Sequence, residues 1–561
     1  MSKRLILLAA LVLGVLLGIR ATTPPAPVGA GAPPQVFAAG RAMADVRAIA
    51  AWPHLAASPE NAAVRAHIAR RMAMMGMEVR ETPFTAPPES AKRLAWWSGK
   101  DVAAPVLTNV IGVLPGKDRS LPAVLLMAHH DTVGGSPGAA DDTAGVSALL
   151  ETVRAVRSGG QQARDLIVLI TDGEELGLDG ARHFFTADPL RAHVGAVINV
   201  EARGGGGRTT LFETSADNGA AIARAAGAIQ RPGGSSLAVF IYKVLPNDTD
   251  LSETRGGPWT GYNFAFIGRP QLYHSPKATP DALDQGALQD MGAQVLDLTR
   301  ELLRAEPLPG KTADVVFFDV FGLFLLVYPA WLGWGMLAVA AGALVVAVGR
   351  GGGWGDGLAG AARMLALIVL AGVVLWAVNA LSLGPGSPNY YDRLAAIPRL
   401  EVMALCGGMA AVLLVLGAWK ARPAGLVGAA LPLLVLGAVL QALAPTAAYV
   451  VVLPVLLAAL AMAVGEGMAG RLVALALGAP VIGYMIALGH QVMQGVGPNM
   501  PMAAVLPLAV TVLAVLPLWE GLGARTARIA AAVLLVAALG TALTVRLDPL
   551  ADTVPVYSAD K

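Results

Sequence analysis

Cysteine is nearly absent from this chain. Its 561 residues contain one, Cys406, and that one lies in an apolar stretch. The polar part of the molecule therefore has neither a disulfide nor a thiolate metal site, and any metal there must be held by His, Asp and Glu. Charge is scarce as well: Asp, Glu, Lys and Arg make up 14% of the residues, where a soluble protein carries about a quarter. Neither sign dominates, since the formal net charge is +2. With no basic stripe, nucleic acid is not an expected partner. What the chain has instead is apolar residues, 55% of the total, and a mean hydropathy of +0.59. Most acidic residues lie before about residue 320, and Leu, Val, Ala and Gly dominate thereafter. This pattern predicts a polar α/β domain joined to an all-α polytopic membrane domain.

The N-terminus reads MSKRLILLAALVLGVLLGIR. Lys3 and Arg4 precede an apolar run from Leu5 to Ile19, the form of a signal peptide or a short signal anchor. No A-x-A site follows at once, which favours an anchor over residues 1–20. Residues 21–40, rich in Pro, Gly and Ala, read as a linker. Residues 308–547 form the expected membrane domain, with eight apolar runs: 328–348, 362–383, 400–418, 424–443, 446–464, 470–492, 501–519 and 526–545. The stretch VVFFDVFGLFLL before them is also apolar and reads as interfacial. With the N-terminus inside, the cytoplasmic loops carry Arg350, Arg363, Lys420, Arg422, Arg471, Arg525 and Arg528, and the opposite loops only Arg393 and Arg399. By the positive-inside rule, residues 21–314 and the tail 548–561 are expected outside the cytoplasm.

Residues 41–307 read as one α/β domain, with short apolar runs alternating with amphipathic helices. The predicted strands are 107–113, 123–128, 166–170, 196–200 and 263–267. Several are apolar throughout, as central strands buried on both faces should be. A helix is predicted after Asp142, where Val146, Leu149, Leu150, Val153 and Val156 recur at helical spacing.

Four of these strands run into residues that bind metals. AVLLMA leads to His129-His130-Asp131, LIVLI to Glu174-Glu175, AVINV to Glu201, and NFAFI through a short loop to Tyr273-His274. Asp141-Asp142 add a carboxylate pair where a helix opens. Ligands of open α/β sheets bind beyond the carboxyl ends of the strands. Residues two apart on a strand share a face. His129 and Asp131 thus point one way, with Asp131 placed to orient the imidazole, and His130 points the other way. Glu174 and Glu175 can divide the labour, one on metal and one taking a proton. That division fits metal-assisted hydrolysis, with zinc favoured by the donors and manganese or cobalt as substitutes.

The ordered series HHD, GAADDTAG, GEELG, NVEA and YH resembles the co-catalytic di-zinc aminopeptidase family, over about residues 45–305. The resemblance implies a zinc-exopeptidase fold with a mixed, mostly parallel sheet flanked by helices. It implies two zinc ions, one on His129 and Glu201, the other on Glu175 and His274, with Asp141 bridging. Glu174 would be the general base, Asp131 the residue orienting His129, and Tyr273 a donor to the developing oxyanion. The substrates would be peptides, cleaved by a membrane-anchored exopeptidase, most readily an aminopeptidase. The anchor, the following spans and PNDTDLS (246–252) resemble the membrane-bound subgroup of endoplasmic reticulum metallopeptidases and vacuolar membrane proteases. One departure is Ala278, four residues after His274, where that family usually has an aspartate.

Two other readings stay open at this point. One is a single-zinc acyltransferase like the glutaminyl cyclases of the same family. The other is a transporter or receptor, although the spans carry almost no ionisable residues at mid-depth. Asp142 reads as a helix N-cap. His183 reads as surface, and His54, His67 and His193 have no partner legible in the sequence. Glu401 and His490 fall near span ends. Asp248 and Asp250 either cap a helix or line the cleft. Arg203, with glycines 204–207, either approaches a substrate carboxylate or belongs to a flexible turn. The sequence sets no oligomeric state.

Overall fold

The computed structural model describes residues 2–100, 104–383 and 390–547. The expected tail 548–561 lies outside them. The described residues divide into two compact units, one of Thr23–Val327, the other of the N-terminal residues up to Thr22 with those from Tyr328 to Leu547.

In the first unit seven strands form one sheet: β1 (Glu78–Thr85), β2 (Val106–Leu114), β3 (Ala123–His129), β4 (Leu166–Thr171), β5 (Val194–Ala202), β6 (Thr210–Thr214) and β7 (Thr260–Phe266). Their order is β1-β2-β4-β3-β5-β7-β6. The central four, β4, β3, β5 and β7, run parallel. At the margins the pairings are antiparallel, β1 with β2, β2 with β4, and β6 with β7. The sheet is therefore mixed and mostly parallel, with helices on both faces.

The apolar runs explain why. Every residue of β3 is buried, so alternate side chains serve opposite cores. Val124, Leu126 and Ala128 pack with Leu149, Val153, Met291 and Val295 on one face. Leu125 and Met127 pack with Phe184, Phe185 and Leu251 on the other. Parallel neighbours need crossovers. The helix Thr143–Arg157 carries the chain from β3 to β4 on the first face, and Asp179–Ala187 carries it from β4 to β5 on the second. Because β3 has one neighbour reached from each face, a crevice opens beyond its carboxyl end. The strands β1 and β6 escape a reading by apolar runs. β1 is EVRETPFT, a marginal strand with no fully buried position, and β6 is only five residues long.

In the second unit the N-terminal run forms the helix Lys3–Thr22. Helices also occupy all eight downstream runs, and among the described residues seven helices in all are long and apolar enough to cross a membrane. Two of the eight runs give shorter apolar helices, Leu332–Val348 and Tyr449–Val464. The first is shortened because residues 325–329 of its neighbourhood are taken by a strand. The chain is a multi-pass membrane protein. Glycines allow close packing between these helices. A Cβ at Gly360 would meet the backbone of Gly425, and one at Gly428 that of Gly357.

Candidate metal centre

The carboxyl ends of β3, β4 and β5 and the loop after β7 bring the predicted residues together. Two groups of donor atoms, each within 4.8 Å, are present among the described residues: His129, Asp141 and Glu201; and Asp141, Glu175 and His274. Asp141 is common to both and divides its oxygens. Its Oδ1 lies 3.1 Å from His129 Nε2, and its Oδ2 lies 3.2 Å from His274 Nε2. His129 Nε2 is 3.8 Å from Glu201 Oε2, and His274 Nε2 is 3.1 Å from Glu175 Oε1. Ligands of one tetrahedral zinc, each about 2.0 Å from the ion, stand about 3.3 Å apart. The donor set, its spacing and its all-His/carboxylate chemistry thus fit two divalent ions sharing one carboxylate.

Local structure aims each donor. His129 ends β3, and its Nδ1 lies 2.9 Å from the Asp131 carbonyl oxygen, with the Asp131 carboxylate farther away at 3.6 Å. That carboxylate has another task, accepting the N–H groups of Glu174 at 3.1 Å and Glu175 at 3.2 Å. These open a single helical turn, Glu174–Gly177, after Gly173 at φ 78°. Asp131 thereby ties the β3 and β4 ends together. Asp142 caps the Thr143–Arg157 helix by accepting from Gly145 N at 3.1 Å, and its other oxygen accepts from His129 N at 3.3 Å. Glu201 is steadied through Asn199, which donates to its Oε1 at 3.3 Å and to Asn263 Oδ1 at 3.1 Å. Asn263 in turn donates to Glu213 and Thr249.

The His274 loop lacks the usual aspartate at position 278 but is fastened otherwise. Ser136 donates to the Ser275 carbonyl at 3.1 Å, and Ala139 N donates to the Ala278 carbonyl at 3.0 Å. Tyr273 stacks on the His274 imidazole, with centroids 3.7 Å apart. His130 points away, as expected, between Asn61 and the Thr108 carbonyl. Of the histidines without a legible partner, His67 pairs with Asp45 at 2.9 Å and His193 with Asp165 at 3.4 Å. His54 is buried against the Trp52 carbonyl. His183 lies stacked on Phe84. Asp248 is an exposed partner of Arg255. Asp250 is wholly buried and accepts from Thr171. The network residues Asn199 and Asn263 carried no sequence signal, since an Asn inside an apolar strand has no motif of its own.

The electrostatics are those of crowded acids. Burial foremost, then the charges of Glu201, Glu175 and Asp250, push Glu174 well above the usual carboxylate range, against the pull of His129. Burial likewise raises Glu201 and Glu175. Asp141 goes the other way, to about 2, because His129 and His274 outweigh its burial. Burial favours the neutral form of His274, yet Glu175 and Asp141 lift it to about 9. Such a cluster holds protons that a cation would displace. It is not sealed: the Glu174 and Asp141 side chains keep 13% and 11% of their surface exposed. Solvent thus reaches the two groups that face a reacting molecule.

This part of the chain is similar to known proteins. Residues 109–299 match Peptidase family M28. The chain is 32% identical over 235 residues to "Endoplasmic reticulum metallopeptidase 1" of Homo sapiens, covering 40% of this chain and 26% of that protein. It is 32% identical over 225 residues to "Vacuolar membrane protease" of Eremothecium gossypii, covering 40% and 22%. It thus spans about a quarter of the length of these relatives. Among solved structures, "BSAP, a zinc aminopeptidase from Bacillus subtilis" aligns with a TM-score of 0.38 at 16% identity, over 48% of this chain and 96% of that one. Every residue of the two donor groups lies within the stretch 109–299 that matches Peptidase family M28.

Proposed function

We propose that this chain is a membrane-anchored zinc exopeptidase of the aminopeptidase type, working outside the cytoplasm. The observation that carries the reading is Asp141, one carboxylate facing two complete His/Glu sets with separate oxygens. Zinc held by His129, Glu201, Asp141, Glu175 and His274 would polarise the scissile carbonyl and acidify a water. Glu174 is the base. Its carboxylate lies 4.0 Å from His129 Nε2, inside the cluster but outside both donor groups. It takes a proton from the attacking water as the new C–O bond forms. Its raised affinity for that proton suits it to hold the proton and then hand it to the leaving amine as the C–N bond breaks. Asp131 keeps Glu174 and His129 in register. Tyr273, beside His274, donates to the oxyanion. The extracytoplasmic placement is supported by the arginines of the loops between spans.

The test is Glu174→Gln. Turnover of unblocked peptides should fall by at least about a thousandfold, the scale on which a base acts together with its surroundings. Elemental analysis should still find two zinc ions per chain. Near-wild-type turnover would overturn the assignment of the base. One zinc in the wild type would favour the single-zinc acyltransferase chemistry. A panel of peptides with free and blocked N-termini sets the direction, and cleavage of blocked peptides would refute the aminopeptidase assignment.

A further inference from the structure

A polar row crosses the sheet beside the metal centre. Glu213 on β6, Asn263 on β7 and Asn199 on β5 stand opposite one another across the three adjacent strands. All three are buried, the two asparagines wholly. The row stops at β5, because the partner of Asn199 on β3 is Met127. Asn199, its last member, shares a strand face with Glu201, two residues on. A bulge in β6 completes the row. The register shifts between Leu211 and Glu213, so Phe212 is skipped and a carboxylate, not a ring, faces Asn263.

The row has a direction. Asn263 turns both amide protons away from Asn199, giving them to Glu213 Oε2 at 2.9 Å and Thr249 Oγ1 at 2.8 Å. What it offers Asn199 is its carbonyl, which accepts at 3.1 Å. Asn199 must therefore present its NH2 there, and the same NH2 reaches Glu201 Oε1 at 3.3 Å. The Asn199 carbonyl is left buried with no partner among the described residues. A bare buried acceptor costs free energy, but the reversed amide would set its carbonyl against two other acceptors. An ionised carboxylate takes protons and gives none, so the direction starts at Glu213. Arg255 holds that carboxylate by its other oxygen at 2.9 Å. At the far end, Glu201 Oε2 stays on the side of His129, 3.8 Å from its Nε2.

Resting on the two-zinc reading above, we propose that Glu213, Asn263 and Asn199 are positioning residues for the ion on His129 and Glu201. Glu213 sets the direction of the amide row, and Asn199 delivers its last N–H to Glu201 Oε1, which keeps Oε2 turned to the ion. The Glu175–His274 side has no such support from this row.

Full-length protein should be titrated with zinc against a competing chelator, and the two stepwise Kd values read. Asn199→Ala should weaken one ion by roughly ten- to a hundredfold, the scale for losing a partner behind a ligand, and leave the other near its wild-type value. Glu213→Gln keeps an acceptor for Asn263 and should bind zinc as the wild type does. Glu213→Leu has no acceptor and should weaken the same ion as Asn199→Ala. The two losses should not add, because once Asn199 is gone the row no longer reaches Glu201. A general packing defect would instead lower both affinities and add. The inference is overturned if Asn199→Ala binds both ions as the wild type does, if its loss falls equally on both, or if the double variant shows the two losses combined. Should Glu213→Leu fail to fold, Asn199→Ala decides alone by the first two criteria. If wild-type protein takes up a single zinc, the two-zinc reading fails instead, and a weaker Kd for that ion in Asn199→Ala then upholds the row while an unchanged one refutes it. If it takes up none, both fall.

Discussion

Asp131 stands two residues beyond His129, and strand alternation assigns its carboxylate to the imidazole. In the structure the Asp131 main chain meets the imidazole more closely, while its carboxylate gathers the N–H groups of Glu174 and Glu175. Alternation shows which side chains share a face, but not which backbone amides from another strand will arrive there. Of the five metal-binding candidates, His129, Glu175, Glu201 and His274 were legible as titratable residues at or shortly after the end of an apolar run, and Asp141 as half of a carboxylate pair where a helix opens. Asn199 was not, because its role depends on Asn263 in a strand far along the chain. His130 and His54 carry a consequence for acid stability. Burial pushes both down to about 4 from 6.5. The folded chain resists protons that the unfolded chain accepts below 6.5, so stability is full above that pH and falls as pH drops toward 4. The loss amounts to on the order of 3 kcal/mol per histidine. Thermal midpoints measured across this range should decline less steeply for His130→Asn than for the wild type. Parallel curves would contradict the assignment.

At the scale of elements, the five apolar runs read as strands lie in the sheet because burial on both faces leaves a strong signature. The marginal strands β1 and β6 leave none, since their stability comes from pairing with a neighbour. The loops behave in the same way: the glycines after Arg203 look like slack in the sequence and are a clasp in the structure, where Gly205 N and Gly206 N each donate to the Gly268 carbonyl. Gly145 is a sharper case. It lies in the first turn of the Thr143–Arg157 helix, where a Cβ would run into the Asp142 carboxylate. Gly145→Ala must displace the group that caps this helix and holds the His129 amide. It should destabilise the domain by about 1–3 kcal/mol, and it should weaken zinc binding, because Asp141 and His129 flank the displaced group. Calorimetric unfolding and zinc titration would check both. A variant that loses stability but binds zinc as before would show that the cap and the metal groups are independent.

For the whole molecule, the charge pattern makes a topological prediction. After Cys406→Ser, cysteines placed at the exposed sites Gly310 and Gly353 should differ toward a membrane-impermeant maleimide applied to intact cells. Gly310→Cys should label and Gly353→Cys should not, and the reverse result would invert the proposed orientation. Helix Lys3–Thr22 was legible as an apolar run, but not its partner. Its buried stripe of Ile6, Ala10, Gly14 and Gly18 lies against the helix Met468–Val496, where Gly14 and Gly18 face Ile482 and Ile486. This helix therefore closes its seam with one made more than 440 residues later. Through most of synthesis it has no permanent neighbour, and its small-residue face is met only by lipid or by a helper that shields it. Assembly of this bundle is then timed by its far end. A ribosome stalled before about residue 468 would leave a chain whose opening helix is inserted and still waiting for its mate.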